Sequence, residues 1–204
     1  AGPTREAIDP VRFISNHSSG KMGFELAAVA AKAGADVTLI AGPCAQTTPK
    51  GVKRINVESA EQMLDASLSA ASTADLFIGA AAVSDYRPVF VADQKIKKGA
   101  EERMEIILTK NPDIIANIAT LTPKPLMIGF AAETERLVEH ARDKLNRKGL
   151  DLVIANDVSK SDIGFNADHN EVVLVSQAGD ITLPRALKSD LAEQLISHIT
   201  KLMD

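Results

Sequence analysis

Short apolar runs alternate with longer stretches of helical periodicity along this chain of 204 residues. The runs are apolar throughout rather than alternating with polar residues, which is typical of parallel strands covered by helices on both faces. They predict strands at residues 36–41, 76–82, 126–131 and 152–155.

Helix-start and helix-stop residues lie between these runs. Ser19 precedes an amphipathic stretch that reaches Lys32, and Ser59 with Gln62 forms a capping-box signature for a helix to about residue 71. Three further helices are predicted. One begins at the cap Asn111-Pro112-Asp113, one runs from Thr134 to a stop at Gly149, and the last covers about 187–203. This order predicts an α/β fold, a Rossmann-like doubly wound and mostly parallel sheet.

Three segments depart from this alternation. Residues 83–103 have weak periodicity and precede a predicted alternating strand at 104–109. A loop of this length is either a functional lid or a segment whose secondary structure is wrongly predicted. Apolar segments flank Ala178-Gly179-Asp180, which predicts a C-terminal β-hairpin and a mixed sheet. The opening Ala1-Gly2-Pro3 is typical of the turn after a strand, so we expect the chain to be a fragment without its first strand.

Composition narrows the classes of function. Hydrophobic residues make up 45% of the chain and charged residues 25%, as in ordinary globular proteins, and no apolar run approaches the roughly 20 residues of a membrane span. The single cysteine, Cys44, excludes an internal disulfide and is typical of a reducing cytoplasm. A net charge of −4 and an aromatic content of 3% argue against a nucleic-acid partner.

The segment before the first long helix matches neither standard nucleotide motif. Ser18 occupies the first glycine position of the dinucleotide fingerprint, and no acidic residue ends the following strand. Met22 occupies the Ser or Thr position of a Walker loop. Small residues such as Gly20 stand at the start of a helix, next to Lys21 and after a basic loop. This arrangement would suit a bound anion, but an ordinary capped helix explains it equally well.

Other segments also have two interpretations. The run from Gly79 to Tyr86 ends a strand in small residues: it either packs tightly against a helix or admits a ligand that Asp85 would hold. Lys95-Ile96-Lys97-Lys98 is either a solvated face or a lid over phosphates. Lys144 and Lys148 share one helix face, as surface charge or as ligand contacts.

Taken in order, these segments resemble bacterial phosphopantothenate–cysteine ligases, also called phosphopantothenoylcysteine synthetases. That activity is commonly the C-terminal half of a bifunctional coenzyme A biosynthesis protein. The matching motifs are spread along the chain: Ala1-Gly2-Pro3-Thr4-Arg5-Glu6, Asp9-Pro10-Val11-Arg12, Ile14-Ser15-Asn16-His17-Ser18-Ser19-Gly20-Lys21-Met22-Gly23, Ala81-Ala82-Val83-Ser84-Asp85-Tyr86, Lys95-Ile96-Lys97-Lys98, Lys110-Asn111-Pro112-Asp113, Gly129-Phe130-Ala131-Ala132-Glu133-Thr134 and Ala155-Asn156-Asp157.

The resemblance implies a two-step reaction. CTP, as co-substrate, converts the carboxylate of 4′-phosphopantothenate into an acyl-cytidylate, and the amine of L-cysteine then displaces CMP. It also implies Mg²⁺ or Mn²⁺, a homodimer, and an upstream flavoprotein decarboxylase domain that alone would carry FMN. Residues 1–204 would form a single ligase domain with a lid at about 87–103.

The same resemblance assigns roles to individual residues. Asn16 would hold the acyl-cytidylate, with Arg12 and the small Ala81 serving the same second step, and Lys95 would serve activation. The implied nucleotide contacts, with Asp85 also the implied metal ligand, are Ser18, Gly20, Lys21, Ala82, Asp85, Asp113, Phe130, Lys144 and Lys148.

Two other classes of function compete with this interpretation. An NAD(P)-dependent reductase would use the same architecture, but the ribose-binding acid is absent and Phe90 stands where a short-chain reductase has the lysine that follows its tyrosine. A non-enzymatic nucleotide-binding module would bind CTP without releasing pyrophosphate.

Overall fold

A mixed five-stranded sheet lies at the centre of the computed structural model, which describes residues 1–99, 102–158 and 167–203. Ala100 and Glu101, within the predicted lid, lie outside the described residues. The strands are β1 Arg5–Ala7, β2 Phe13–Ser15, β3 Val37–Ala41, β4 Val52–Asn56, β5 Leu76–Gly79, β6 Tyr86–Pro88, β7 Leu108–Lys110, β8 Leu126–Glu133, β9 Leu152–Asp157, β10 His169–Ser176 and β11 Gly179–Leu187. The helices are α1 Lys21–Lys32, α2 Ala60–Ala71, α3 Ile114–Ile118, α4 Leu137–Lys148 and α5 Lys188–Thr200.

The strand order of the central sheet is β11-β10-β9-β8-β5. β5, β8 and β9 run parallel, whereas β10 pairs antiparallel with both β9 and β11. The predictions of an α/β fold, a mostly parallel doubly wound sheet and a C-terminal hairpin are therefore confirmed.

The first residues of the chain connect this sheet to the parallel pair β3–β4. Ala1 donates its nitrogen to the Ile40 carbonyl at 2.7 Å and accepts from the Gly42 N–H at 2.9 Å. On the other side, Ala82 donates to the Gly2 carbonyl at 2.9 Å. At Gly42 an added Cβ would lie 1.7 Å from the Pro3 carbonyl oxygen, so only glycine allows this close approach. Residues 1–4 thus occupy the position between β3 and β5.

Alternate residues of the central strands face two separate cores. Met127 and Val153 pack in a core with α2, α3 and α4, whereas Ile128 and Ile154 pack in a core with α1 and α5. All four side chains are fully buried. This two-sided burial explains why the strand sequences are apolar throughout.

Helix boundaries agree with the predictions at some ends and differ at others. The Ser59–Gln62 capping box is present, and Gly149 caps α4 with a left-handed backbone. Ser19 does not cap α1: Gly20 does, at a φ of 75° that favours glycine. Strand β8 extends to Glu133, so α4 begins at Leu137 rather than at Thr134.

The predicted Asn111 cap is wrong by two residues. Asp113 caps α3 by accepting the Ala116 N–H at 3.0 Å. Asn111 is used elsewhere, because its side chain donates to the Ser84 carbonyl at 2.8 Å and its backbone N–H to the Asp85 carbonyl at 2.8 Å.

The predicted lid begins and ends at a short antiparallel pair. β6 pairs with β7, in the register Tyr86 with Lys110, at the base of the segment. The strand predicted at 104–109 is thereby reduced to Leu108–Lys110. The strands β1, β2, β4 and β6 were missed by sequence reasoning, since three of them have only three residues and all carry charged or polar positions.

Candidate functional site

A cleft of about 1360 Å³ opens at the carboxyl ends of β5 and β8. Parallel strands direct ligands to this edge, because helix N-termini and loop N–H groups converge there. The volume exceeds the roughly 300–1,000 Å³ of common small-molecule pockets, which leaves room for more than one substrate. Five residues predicted for the site line it: Ala81, Asp85, Asp113, Lys144 and Lys148.

Lys144 is a half-buried lysine that lines the cleft. Its amine donates to the Phe130 carbonyl, which places Phe130 beside the site through its backbone, while the ring packs against the α1–α5 core. Burial lowers the pKa of Lys144, and the nearby carboxylates of Glu133 and Asp85 oppose that shift. Lys144 is therefore a desolvated donor next to the cleft.

Lys148 forms an ion pair with Asp113 across the cleft. Asp113 thus has two tasks, since its other carboxylate oxygen caps α3. The side chain of Lys148 is 20% exposed and that of Asp113 40%. A ligand entering here meets an ion pair between two lining side chains.

Asn16 reaches the edge of the cleft from the loop that precedes α1. Its Nδ2 donates to the carbonyl of Val83, a lining residue, at 3.0 Å. Ala82, next to Val83, has its backbone hydrogen-bonded to Gly2 and Thr4 in the sheet. The structure therefore brings Asn16, Ala81 and Ala82 to one corner of the site.

Asp85 is an exposed carboxylate in the cleft. No group of three or more His, Cys, Asp or Glu side chains among the described residues is arranged to hold a metal ion by itself. Mg²⁺ is usually held by one or two carboxylates together with substrate phosphates. The donor set at Asp85 therefore fits an ion that arrives with a phosphorylated substrate.

The start of α1 lies outside the residues that line the cleft. Gly20 N–H donates to the Ser18 hydroxyl at 3.2 Å, and Lys21 pairs with Asp168 at 2.5 Å. The Lys21 amine lowers the pKa of Asp168 by hydrogen bonding and by its charge. Ser18, Gly20 and Lys21 thus form a second polar region, separate from the end of the cleft that holds Lys144.

Arg12 and Lys95 also lie outside the lining of the cleft. Arg12 pairs with Asp9 and donates to the carbonyl of Ile96, next to Lys95, at 2.9 Å. Lys95 itself is exposed. The structure thus brings these two predicted residues together at the lid.

Sequence reasoning missed some residues of the site. His140 and Glu133, both lining the cleft, are joined by an Nδ1–Oε2 contact of 3.1 Å. The sequence around His140 has no metal-ligand spacing that would single it out. The signal that the sequence offered for this pair was the position of Glu133 at the end of a strand, seven residues before His140.

No helix in the described part of the chain combines the length and apolar character needed to cross a membrane.

Comparison with known proteins gives one consistent result. Residues 1–203 match the family of DNA/pantothenate metabolism flavoprotein C-terminal domains. The coenzyme A biosynthesis bifunctional protein CoaBC of Haemophilus influenzae is 56% identical over 98% of this chain and 50% of its own length. That of Bacillus subtilis is 43% identical over 99% of this chain and 50% of its own. The chain therefore spans about half the length of these curated relatives.

A solved structure agrees with the sequence comparisons. The crystal structure of the C-terminal domain of a coenzyme A biosynthesis bifunctional protein CoaBC superposes with a TM-score of 0.84 at 38% identity. The match covers 100% of this chain and 92% of that one.

Proposed function

The chain belongs to the family of DNA/pantothenate metabolism flavoprotein C-terminal domains, and on that premise we propose that it is a CTP-dependent ligase. It joins 4′-phosphopantothenate to L-cysteine through an acyl-cytidylate and forms 4′-phosphopantothenoyl-cysteine, CMP and pyrophosphate. The observation that carries the proposal is the cleft in which Ala81, Asp85, Asp113, Lys144 and Lys148 converge.

The first step activates an unreactive acid. A carboxylate oxygen of phosphopantothenate attacks the α-phosphorus of CTP, and the bond from that phosphorus to the bridging oxygen breaks to release pyrophosphate. Both reactants are anions, so the site has to supply positive charge and exclude water. Lys95 supplies that charge from the lid, between carboxylate and α-phosphate.

The second step forms the amide. The amine of cysteine attacks the acyl carbon, the acyl–oxygen bond breaks, CMP leaves with the bonding electrons, and the nitrogen loses a proton to solvent. Asn16 donates its amide N–H to the acyl oxygen as negative charge develops there, supported by Arg12. The small side chain of Ala81 leaves room for the intermediate beside Asn16.

Two lysines, the half-buried Lys144 and the ion-paired Lys148, recognise the cytidine at one end of the cleft. Lys144 and Lys148 donate to acceptors of the base and ribose, next to the backbone of Phe130 and the carboxylate of Asp113. Ser18, Gly20 and Lys21 bind phosphate at the start of α1. Asp85 would hold a Mg²⁺ or Mn²⁺ ion, which would neutralise negative charge of the triphosphate.

The proposal also covers the longer protein and its assembly. We expect an upstream flavoprotein decarboxylase half with FMN, as in the bifunctional relatives, and a cytoplasmic location. The ligase part, a single domain over residues 1–204 with its lid at about 87–103, acts as a homodimer. An exposed apolar surface supports the dimer, and we name it the lid face; its members are Val11, Phe13, Val89, Phe90 and Ile107.

The decisive experiment separates the two steps by product mass. The protein is mixed with Mg²⁺, phosphopantothenate and either CTP or ATP, with and without cysteine. We expect pyrophosphate release with CTP in both cases and the amide only with cysteine. Lys95→Gln slows pyrophosphate release by roughly 10²–10³-fold, whereas Asn16→Asp still activates and accumulates acyl-cytidylate.

The alternative functions give different results in the same assay. Equal impairment of both steps in both variants contradicts the assigned roles. CTP binding without pyrophosphate release, with phosphopantothenate present, indicates a non-enzymatic nucleotide-binding module. Binding of a nicotinamide cofactor in a titration favours an NAD(P)-dependent reductase.

A further inference from the structure

Asp9 is a buried carboxylate in the turn between β1 and β2. Only 2% of the residue is exposed. Its Oδ1 accepts the N–H groups of Val11 at 2.8 Å and Arg12 at 2.9 Å, which fixes the local turn. Its Oδ2 faces the other way and accepts Nε of Arg12 at 3.0 Å, with Nη2 as a second donor.

The same Oδ2 also accepts a hydrogen bond from the lid. The backbone N–H of Ile96 donates to it at 3.1 Å, and the Ile96 carbonyl accepts Nη2 of Arg12 at 2.9 Å. Asp9 and Arg12 thus hold both polar groups of a single lid residue. A further bond, from the Ala92 N–H to the Ile8 carbonyl at 3.0 Å, ties the lid to this turn a second time.

The position of this clamp matters because Ile96 follows Lys95. A residue whose N–H and carbonyl are both fixed leaves its neighbour little freedom in backbone direction. The lysine side chain remains exposed and mobile, while its attachment point is held. The hydrogen bonds from Arg12 keep the pKa of Asp9 well below its usual range, so Oδ2 stays an acceptor at every pH at which the protein works.

We propose that Asp9 is a positioning residue for the activation step, acting through Ile96 to hold Lys95 over the reactants. This inference rests on the function proposed above, in which Lys95 serves activation. Asp9 acts on activation through the lid backbone, and it also pairs with Arg12, which the proposed function places in the second step.

The variant Asp9→Asn tests the clamp with almost no change in shape. The asparagine oxygen can replace Oδ1 and keep the turn, while its NH₂ group replaces Oδ2 and can accept neither from Ile96 nor from Arg12. We expect amide hydrogen exchange in a peptide that contains Ile96 to become at least about five-fold faster, as for the loss of one hydrogen bond. This readout requires no activity.

Kinetics then test the effect on Lys95. Asp9→Asn should lower kcat for pyrophosphate release by about 10²-fold, the scale of a small misplacement, and change the KM for CTP by less than about three-fold. We expect the KM for CTP to stay nearly unchanged because Asp9 does not line the cleft that would bind the cytidine. A merely structural role would instead change both parameters together with the melting temperature.

Glu6→Gln is the matched control. Glu6 is an equally buried carboxylate, 3% exposed, on β1 of the same hairpin, and it accepts the Ala60 N–H at 3.0 Å instead of a lid group. We expect it to lower the melting temperature without altering Ile96 exchange or kcat. If Glu6→Gln and Asp9→Asn give the same pattern, the proposal is overturned.

A second pair of variants tests the same bond from the lid side. Ile96→Pro removes the donating N–H, and Ile96→Ala removes only the side chain. Loss of kcat in the proline variant alone supports the clamp, whereas normal rates in both overturn it. If the unmodified protein releases no pyrophosphate, the proposed function fails while the exchange result still decides whether Asp9 holds the lid.

Discussion

At the residue scale, the cleft is distinguished by a cation that is partly desolvated before any ligand arrives. The Lys144 amine donates to a backbone carbonyl and has two carboxylates nearby. Lys148 by contrast has its charge balanced by Asp113. A desolvated donor interacts strongly with a base acceptor, because little water has to be displaced from it.

Because the pKa of Lys144 is lowered in the fold, the free energy of unfolding should depend on pH. The unfolded chain keeps the lysine proton up to about 10.5, while the folded protein releases it at lower pH. The cost of burying the cation therefore disappears as pH rises between those two values, and folding is favoured there. The free energy of unfolding, compared with that of Lys144→Met, should increase with pH in this window.

Denaturant unfolding at a series of pH values measures this difference. Lys53→Met is the control for loss of a lysine, because Lys53 is exposed on β4. A difference between the unmodified protein and Lys144→Met that stays constant with pH would argue that Lys144 is not desolvated in the fold.

At the element scale, the start of α2 supports the hairpin that carries Asp9. The Glu58 carbonyl accepts the Arg5 N–H at 2.7 Å, and the Ala60 N–H donates to Glu6. Both contacts come from residues next to the cap Ser59. The start of α2 thus holds β1 of the hairpin through these two bonds, neither of which involves the lid residue Ile96.

Ser59→Ala should destabilise the protein by about 1 kcal/mol, since it removes the acceptor for the Gln62 N–H. For a chain of this size that loss lowers the melting temperature by roughly 2–4 °C. Differential scanning calorimetry measures the change. Ser69→Ala, an exposed serine within the same helix, should have little effect, and an equal loss in both variants would contradict the capping role.

The elements that sequence analysis predicted are those with a local cause. The apolar run of β9 and the Ser59–Gln62 box each specify an element within a few residues. Asn111 has an equally good local signal as a cap, yet it bonds to Ser84 and Asp85, which lie far earlier in the chain. Tertiary contacts decided between two candidate caps that the sequence presents side by side.

The candidate site divides in the same way. Residues such as Asp85 and Asp113 were predicted because their motifs carry the family resemblance. The clamp was missed, because Asp9 and Ile96 are separated by 87 positions and neither of their two motifs indicates that it contacts the other. Only the fold reveals that the Asp9 turn and the lid touch.

At the scale of the whole molecule, the lid face leaves apolar side chains exposed beside the site. Phe90 and Ile107 are each 76% exposed, and their segments are joined by a bond from the Val89 N–H to the Ile107 carbonyl at 2.9 Å. Large exposed apolar side chains on neighbouring segments are typical of a protein–protein interface. A second copy of the chain is the partner that the proposed homodimer requires.

Burying a charge in that interface should separate the subunits. Phe90→Asp and Ile107→Asp each place an unpaired carboxylate where the partner would pack, and we expect the dimer dissociation constant to rise by more than about 30-fold. Sedimentation equilibrium measures it, with circular dichroism to confirm folding. Ile181→Asp is the control, because Ile181 is 46% exposed on β11, at the opposite edge of the central sheet. The homodimer proposal fails if the unmodified protein is monomeric, whereas equal weakening by Ile181→Asp moves the interface away from the lid face.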